Sequence, residues 1–293
     1  MSIPLCVFGE VLFDHFPDGQ RVLGGAPFNV AWNLQGLGKD VQFVSRVGND
    51  AEGELIRKAM RAHGMSDLNL QVDNEQATGR VQVTLVDNEP AYDIVAPCAY
   101  DRIEPLPDQR AHCGLLYHGT LALRDPVSRA ALQSLLEARP HKVFVDVNLR
   151  TPWWNKADVL RLMKTADWVK LNTDELQQLS NTNKNAKPSA QDFLETHQLT
   201  GLIVTHGSAG AELLTADNQH YQVKPDHSSP VVDTVGAGDA FASVILLGLL
   251  DDWPLHETLQ RAQAFASAQV GQRGATVTDP AYYQKFSDDW KPK

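Results

Sequence analysis

The segment Asp233-Thr-Val-Gly-Ala-Gly-Asp239, followed directly by the apolar run Ala240 to Leu250, combines residue types that could hold an anion and move a proton within one turn of chain. Gly236, Ala237 and Gly238 have little or no side chain to block a ligand. Their amides, with the first N–H groups of the helix that the apolar run predicts, can point together at a phosphate or oxyanion, helped by the helix dipole. Asp239 would sit beside that cradle, where a carboxylate can accept the proton of a hydroxyl attacking a phosphoryl group. An Asp in the first turn of a helix also serves simply to complement its positive end. The glycines before it and the buried helix behind it favour the chemical role.

Two other phosphate-binding designs are excluded by inspection. The pair Gly38-Lys39 is followed by Asp40 and lacks the upstream glycine spacing of a P-loop. No Gly-x-Gly-x-x-Gly follows the first predicted strand, which removes the usual fingerprint of a dinucleotide-binding dehydrogenase.

The elements that must position this segment read as alternating strands and helices. Leu5 to Phe8, Gln42 to Val44, Leu115 to His118, Lys142 to Val147, Trp168 to Leu171 and Gly201 to Thr205 are short β-rich runs separated by helix-length stretches. Strands apolar on both faces imply a mainly parallel sheet covered by helices on each side, so the expected fold is a doubly wound α/β domain over residues 1–293. No internal repeat or interdomain linker is evident, and Asn181 to Ser189 reads as a surface loop. One region departs from the pattern. Gly79 to Val86 and Pro90 to Ala96 alternate at period two across the turn-like Asp87-Asn88-Glu89. With the short stretch 11–22, the region from about 72 to 98 is expected to form a small β-sheet lid that closes over a ligand.

Charge and composition bound the partners. The chain has 36 acidic and 26 basic residues, a formal charge of -10, and no Lys/Arg block that could track a phosphate backbone, so nucleic acid is not an expected partner. The N-terminus reaches Glu10 before a signal-peptide core could form, and the longest apolar run is well short of the ~20 residues of a membrane span, so a cytoplasmic protein is expected. Cys6, Cys98 and Cys113 are odd in number and widely spaced, and they are expected to be reduced, buried thiols. None of the ten histidines shows metal-ligand spacing.

Asp233 to Asp239 resembles the C-terminal signature of the ribokinase-like PfkB carbohydrate kinases, and Gly24-Gly-Ala-Pro-Phe-Asn-Val-Ala31 resembles their N-terminal signature, in the expected order. The opening Gly9-Glu-Val-Leu-Phe-Asp14 and the Gly-Gly-Ala-Pro run are most similar to the fructokinase branch, and the likeness extends over essentially the whole chain. The resemblance implies an ATP- and Mg²⁺-dependent kinase acting on a sugar primary hydroxyl, with fructose to fructose 6-phosphate as the leading reaction and a homodimer formed through the lid. It implies Asp239 as base, Gly236, Ala237 and Gly238 as anion hole, and Asp14, Gly24, Gly25 and Asn29 as sugar contacts. It places Lys170, Asn172, Thr205, Gly207, Gly210 and Gln263 on the nucleotide side and Glu175 near Mg²⁺ through water. Asp233, with backbone groups around Val235 and Gly274, matches a K⁺ site found in many relatives. Asn172 and Glu175 also have the spacing of a helix capping box, so a structural role competes there. Arg150, in Asp146-Val-Asn-Leu-Arg150, would lie near the mouth of the site.

Val95 stands where fructokinases often carry Arg, Gln263 where many relatives have Asn, and Phe28 where the first signature commonly has a small residue. Two rivals to a fructokinase follow: a PfkB kinase for 2-keto-3-deoxygluconate, a nucleoside or a sugar phosphate, and a non-catalytic sugar or nucleotide sensor on the same fold.

Overall fold

A computed structural model describes residues 4–86, 89–107, 112–180, 188–225 and 232–290. Its strands are β1 Leu5–Phe8, β2 Leu12–His15, β3 Arg21–Gly24, β4 Val41–Gly48, β5 Leu70–Asp73, β6 Gly79–Val86, β7 Glu89–Ile94, β8 Leu115–His118, β9 Lys142–Asp146, β10 Trp168–Asn172, β11 Gly201–Thr205, β12 Ala211–Thr215 and β13 His220–Val223. Its helices are α1 Ala26–Gly36, α2 Ala51–Ala62, α3 Pro126–Glu137, α4 Lys156–Leu162, α5 Thr173–Leu179, α6 Ala190–His197, α7 Ala237–Leu250, α8 Leu255–Val270 and α9 Pro280–Asp289.

Nine strands form one sheet in the order β13-β12-β11-β10-β9-β8-β1-β4-β5. It is parallel from β5 to β11, and β12 and β13 return antiparallel at one edge. The period-two alternation of strand side chains divides the core. Leu5 and Val7 of β1 join a cluster with α1, α2, α7, α8 and α9, whereas Cys6 and Phe8 pack with Ala131, Leu132 and Leu135 of α3. Val143 and Val145 of β9 meet α4, α5 and α6 on that second face. Helix α7 is apolar almost all round and is buried from Ala240 to Leu249, so it lies within the molecule and not on it. Each of its fully buried Val, Ile and Leu side chains contributes about 1.5–3 kcal/mol.

A second, four-stranded sheet has the order β3-β2-β6-β7. Its β6–β7 hairpin matches the alternating segments expected from sequence, with Val81 opposite Ile94 and Val83 opposite Tyr92. Residues 87 and 88 of the expected turn, and 181–187 of the expected loop, lie outside the described residues. Residues 72 and 73 do not belong to this sheet: they end β5 on the edge of the large sheet, paired with β4. The second stretch of the small sheet therefore begins at Gly79. Three strands were missed from sequence. β5, β12 and β13 are edge or near-edge strands, and their polar residues (Gln71, Glu212, His220, Gln222) break the apolar run that marks a central strand.

The cysteine expectation is overturned for two of the three residues. Cys6 and Cys113 form a disulfide with Cα atoms 5.6 Å apart, and Cys98 alone is a free, buried thiol. The two are 107 residues apart in sequence, and only the parallel pairing of β1 with β8 brings them together. Among the described residues, no helix is long and apolar enough to cross a membrane.

Candidate active site

The functional segments gather at the C-terminal ends of the parallel strands, where an α/β sheet ordinarily opens to ligands. The chain leaves β1 through Gly9 and Glu10, enters β2 of the small sheet, and returns through β3 to the start of α1. Gly25 precedes α1 with φ +110, and a Cβ there would stand 2.7 Å from the Glu10 carbonyl oxygen, so glycine is required by both conformation and space. The turn delivers Asn29 from α1 toward Asp239 of α7, and the Asn29 Nδ2 donates to Asp239 Oδ2 at 2.8 Å.

The start of α7 has the form expected from its glycines. Gly236 caps the helix at φ +80, and a Cβ on it would lie 2.3 Å from the Cβ of Ala275. Gly238 leaves the helix end open, with the Lys170 Nζ 3.7 Å from where its Cβ would be. Asp233 braces this loop, one carboxylate oxygen accepting from the Val235 amide at 3.0 Å and the other from the Gly274 amide at 3.1 Å. Asp239 opens onto a cavity yet sits deep in the molecule. Burial raises its carboxyl to about 6; the Asn29 hydrogen bond opposes this, Asp146 adds to it, and Lys170 and Arg150 oppose it.

That cavity, of about 530 Å³, is lined by Glu10, Asp14, Asn29, Arg150, Asp239 and by Tyr92 and Ile94 of the small sheet. Asp14 is raised to about 6, chiefly by burial, with Arg150 and His15 opposing. A Cβ on Gly24 would fall 3.7 Å from Asp14 Oδ2 and 3.9 Å from Asn29 Oδ1, which puts Gly24, Asp14 and Asn29 in one corner. A second cavity of about 580 Å³ takes in Gly207, Gly210, Phe241, Gln263, Ala266 and Val270, and it meets the first at Thr205, Thr234 and Gly238. A polar cavity and a largely apolar one thus adjoin at the N-terminus of α7. An arrangement of this kind can present a polyhydroxylated molecule and a nucleotide to the same anion cradle.

Behind the cradle lies a buried polar cluster. The Lys170 Nζ donates to Asp146 Oδ1 at 2.7 Å and the Tyr117 hydroxyl to Asp146 Oδ2 at 3.0 Å. Lys170 therefore has its charge engaged by Asp146, although it lines the first cavity. The capping reading of Asn172 and Glu175 is realised in full: Asn172 Oδ1 accepts from the Glu175 amide, and Glu175 Oε2 accepts from the Asn172 amide. Glu175 Oε1 takes the Leu149 amide at 3.0 Å, so both of its oxygens are bonded to backbone while the residue still borders the cavity. Gln263 bonds to Ser267 at 3.2 Å along its own helix. Among the described residues, no group of three or more His, Cys, Asp or Glu could hold a metal ion.

Sequence reasoning passed over Glu10, Asp146 and Leu121 as members of the site. The available signal for Glu10 and Asp146 was position, since each is a carboxylate at the C-terminal end of a predicted central strand, where apolar residues would otherwise be expected.

The comparisons with known proteins agree with this geometry. Residues 8–281 match the profile of the pfkB family carbohydrate kinases. The fructokinase of Escherichia coli is 30% identical over 98% of this chain and 100% of its own. The crystal structure of a fructokinase from Vibrio cholerae O395 in fructose-, ADP- and calcium-bound form has a TM-score of 0.79 at 26% identity, covering 97% of this chain and 99% of that one. That of aminoimidazole riboside kinase from Salmonella enterica, with aminoimidazole riboside and an ATP analog, gives the same values. The two signatures, the fold and the match over most of its length place this chain in the pfkB family of carbohydrate kinases.

Proposed function

We propose that this kinase transfers the γ-phosphoryl group of ATP to the primary hydroxyl of an unphosphorylated sugar, with fructose to fructose 6-phosphate as the reaction. The observation that carries the reading is the Asp239 carboxylate, held by Asn29 at the point where a polar and an apolar cavity meet the open end of α7. The sugar lies among Asp14, Gly24, Gly25 and Asn29, and the adenine side of ATP lies along Gly207, Gly210 and Gln263. Asp239 takes the proton from the attacking hydroxyl, and the amides of Gly236, Ala237 and Gly238 hold the charge of the transferred group. The small sheet, through Tyr92 and Ile94, covers the sugar and excludes water, which would otherwise accept the phosphoryl group. Mg²⁺ carried by the nucleotide phosphates would neutralise their charge; Glu175 and Asp146 are the carboxylates that could meet its water shell, as suits an ion that keeps several waters.

Fructose is favoured by the full-length likeness to the Escherichia coli fructokinase. A riboside is the second reading, supported by the equal structural likeness to aminoimidazole riboside kinase and by the apolar Leu12, Val22, Val81, Tyr92 and Ile94 facing the cavity. A sugar phosphate is disfavoured, because Lys170 is spent on Asp146 and Arg150 faces the carboxylates of Glu10, Asp14 and Asp239. The test is ADP release from ATP and Mg²⁺ with fructose, glucose, mannose, ribose, 2-keto-3-deoxygluconate, adenosine, aminoimidazole riboside and fructose 6-phosphate, run in K⁺ and in Na⁺. The expected result is turnover on fructose, lost in Asp239→Asn. Turnover confined to a riboside would replace fructose, silence on every acceptor would remove the kinase assignment of the substrate site, and equal rates in both salts would remove the K⁺ role given to Asp233.

A further inference from the structure

Glu10 has no part in the reaction as derived above, yet it is 3% exposed on the wall of the sugar cavity, as deeply buried as Asp146, whose two oxygens are taken by Lys170 and Tyr117. Its Oε2 is buried without any hydrogen-bond partner. A buried acceptor left unpaired has lost its water and gained nothing in return, so native chains rarely keep one without a use. A second orphan accompanies it in the same cavity: Asn29 Oδ1, whose Nδ2 is occupied by Asp239. With Asp14 these make an excess of acceptors over donors, the complement of a molecule whose edge is a row of hydroxyls. The cations near Glu10 do not discharge it. Arg150 and Arg124 act on it through space, but the Arg124 Nε and Nη2 are committed to Asp101, Val95, Cys98 and Tyr100.

We propose that Glu10 is a substrate-binding residue whose Oε2 accepts a hydrogen bond from a sugar hydroxyl, one not held by Asp14 or Asn29. The inference rests on the sugar-kinase reading above and extends it to a specificity contact. The site discriminates against sugars that lack that hydroxyl, because they leave the carboxyl as it stands in the free protein, buried and unpaired. The rival is structural. Arg124 Nη1 is also a buried orphan, and a link from it to Glu10 would make the carboxylate a brace of the fold.

The experiment compares wild type with Glu10→Gln, which keeps size and shape, and with Glu10→Asp, which withdraws the carboxylate by one methylene. Both are assayed on the sugar that the wild type phosphorylates and on its monodeoxy analogues, and melting is followed with and without sugar. The expected result is a sugar KM raised at least tenfold in both variants, an ATP KM within twofold of wild type, and a melting temperature of the free enzyme that is unchanged or higher. The sugar-induced rise in melting temperature falls. One deoxy analogue, costly to the wild type, costs Glu10→Gln nothing further, while the other deletions stay additive. A sugar KM within twofold of wild type overturns the proposal. So does a lowered melting temperature of the free enzyme with the same penalty for every analogue, which is the signature of the Arg124 brace. A wild type that turns over none of the sugars strikes instead at the reading on which the proposal rests.

Discussion

The proposed role of Asp239 asks for a base, while its surroundings favour the neutral acid, and the two demands separate with pH. Its carboxyl is raised to about 6 by burial, so the fraction able to accept a proton falls tenfold per pH unit below that value. kcat/KM should rise with a limb near pH 6 and level above it. For stability the sign is reversed. The folded state binds this proton more tightly than the unfolded state, whose Asp has its ordinary value of 3.8, so the carboxyl's contribution is most unfavourable above pH 6 and disappears as pH falls toward 4. Buried neutral His118, lowered to about 4, acts oppositely in the same range, so the Asp239 share must be read from a difference. Asp239→Asn is expected to lower kcat by about 10²–10⁴ while raising stability on the order of 1–3 kcal/mol at pH 8. That gain should shrink steadily to pH 4. Urea unfolding of both proteins at several pH values measures it; a pH-independent difference would show that the carboxylate is not desolvated in the free enzyme.

At the scale of elements, Leu12 and Val81 pack the small sheet onto the core, and one buried cation ties down the end of β7. Arg124, on the turn Leu121–Arg124 that also puts Leu121 on the cavity wall, grips Asp101 with Nε at 2.5 Å and Nη2 at 2.9 Å. Its Nη2 also reaches the Val95 carbonyl, just beyond β7, and the guanidinium lies 4.6 Å from the Trp153 ring, next to the loop that carries Arg150. Both partners are nearly inaccessible, so removing either leaves a buried charge alone. Arg124→Ala and Asp101→Ala are each expected to cost about 3–5 kcal/mol by urea unfolding, and the double variant much less than their sum. An additive double variant would mean that the pair is not what holds this root of the sheet. None of this was legible in the sequence, because neither residue lies in a motif and the pair is joined through tertiary structure. The central strands and α7 were legible, since unbroken apolar runs declare burial on both faces. So was the cradle, because the left-handed turn at Gly236 and the close approach of Ala275 admit only glycine. The double bond pattern of Glu175, by contrast, was left undecided between cap and ligand, since the same spacing serves both.

At the scale of the molecule, the sheet has two ends with different tasks. Glu10, Asp146, Asn172 and Thr205 mark the ends of parallel strands that face the cavities, whereas Cys113 precedes β8 and its partner Cys6 sits near the start of β1, at the opposite end. The Cys6–Cys113 bridge spans 107 residues of chain, a closure that restricts the unfolded state by roughly 4–5 kcal/mol in the chain-entropy account. Nothing in the site touches it. Reduction should therefore lower resistance to urea without changing kcat or either KM at temperatures well below unfolding. Thiol counting in denaturant gives the state directly: one reactive thiol, that of Cys98, before reduction and three after it. Three thiols in the purified protein before any reductant would show the bridge to be open. A loss of kcat on reduction, with the fold intact, would show instead that strain at the closed end of the sheet reaches the strand ends that carry Glu10 and Asp146.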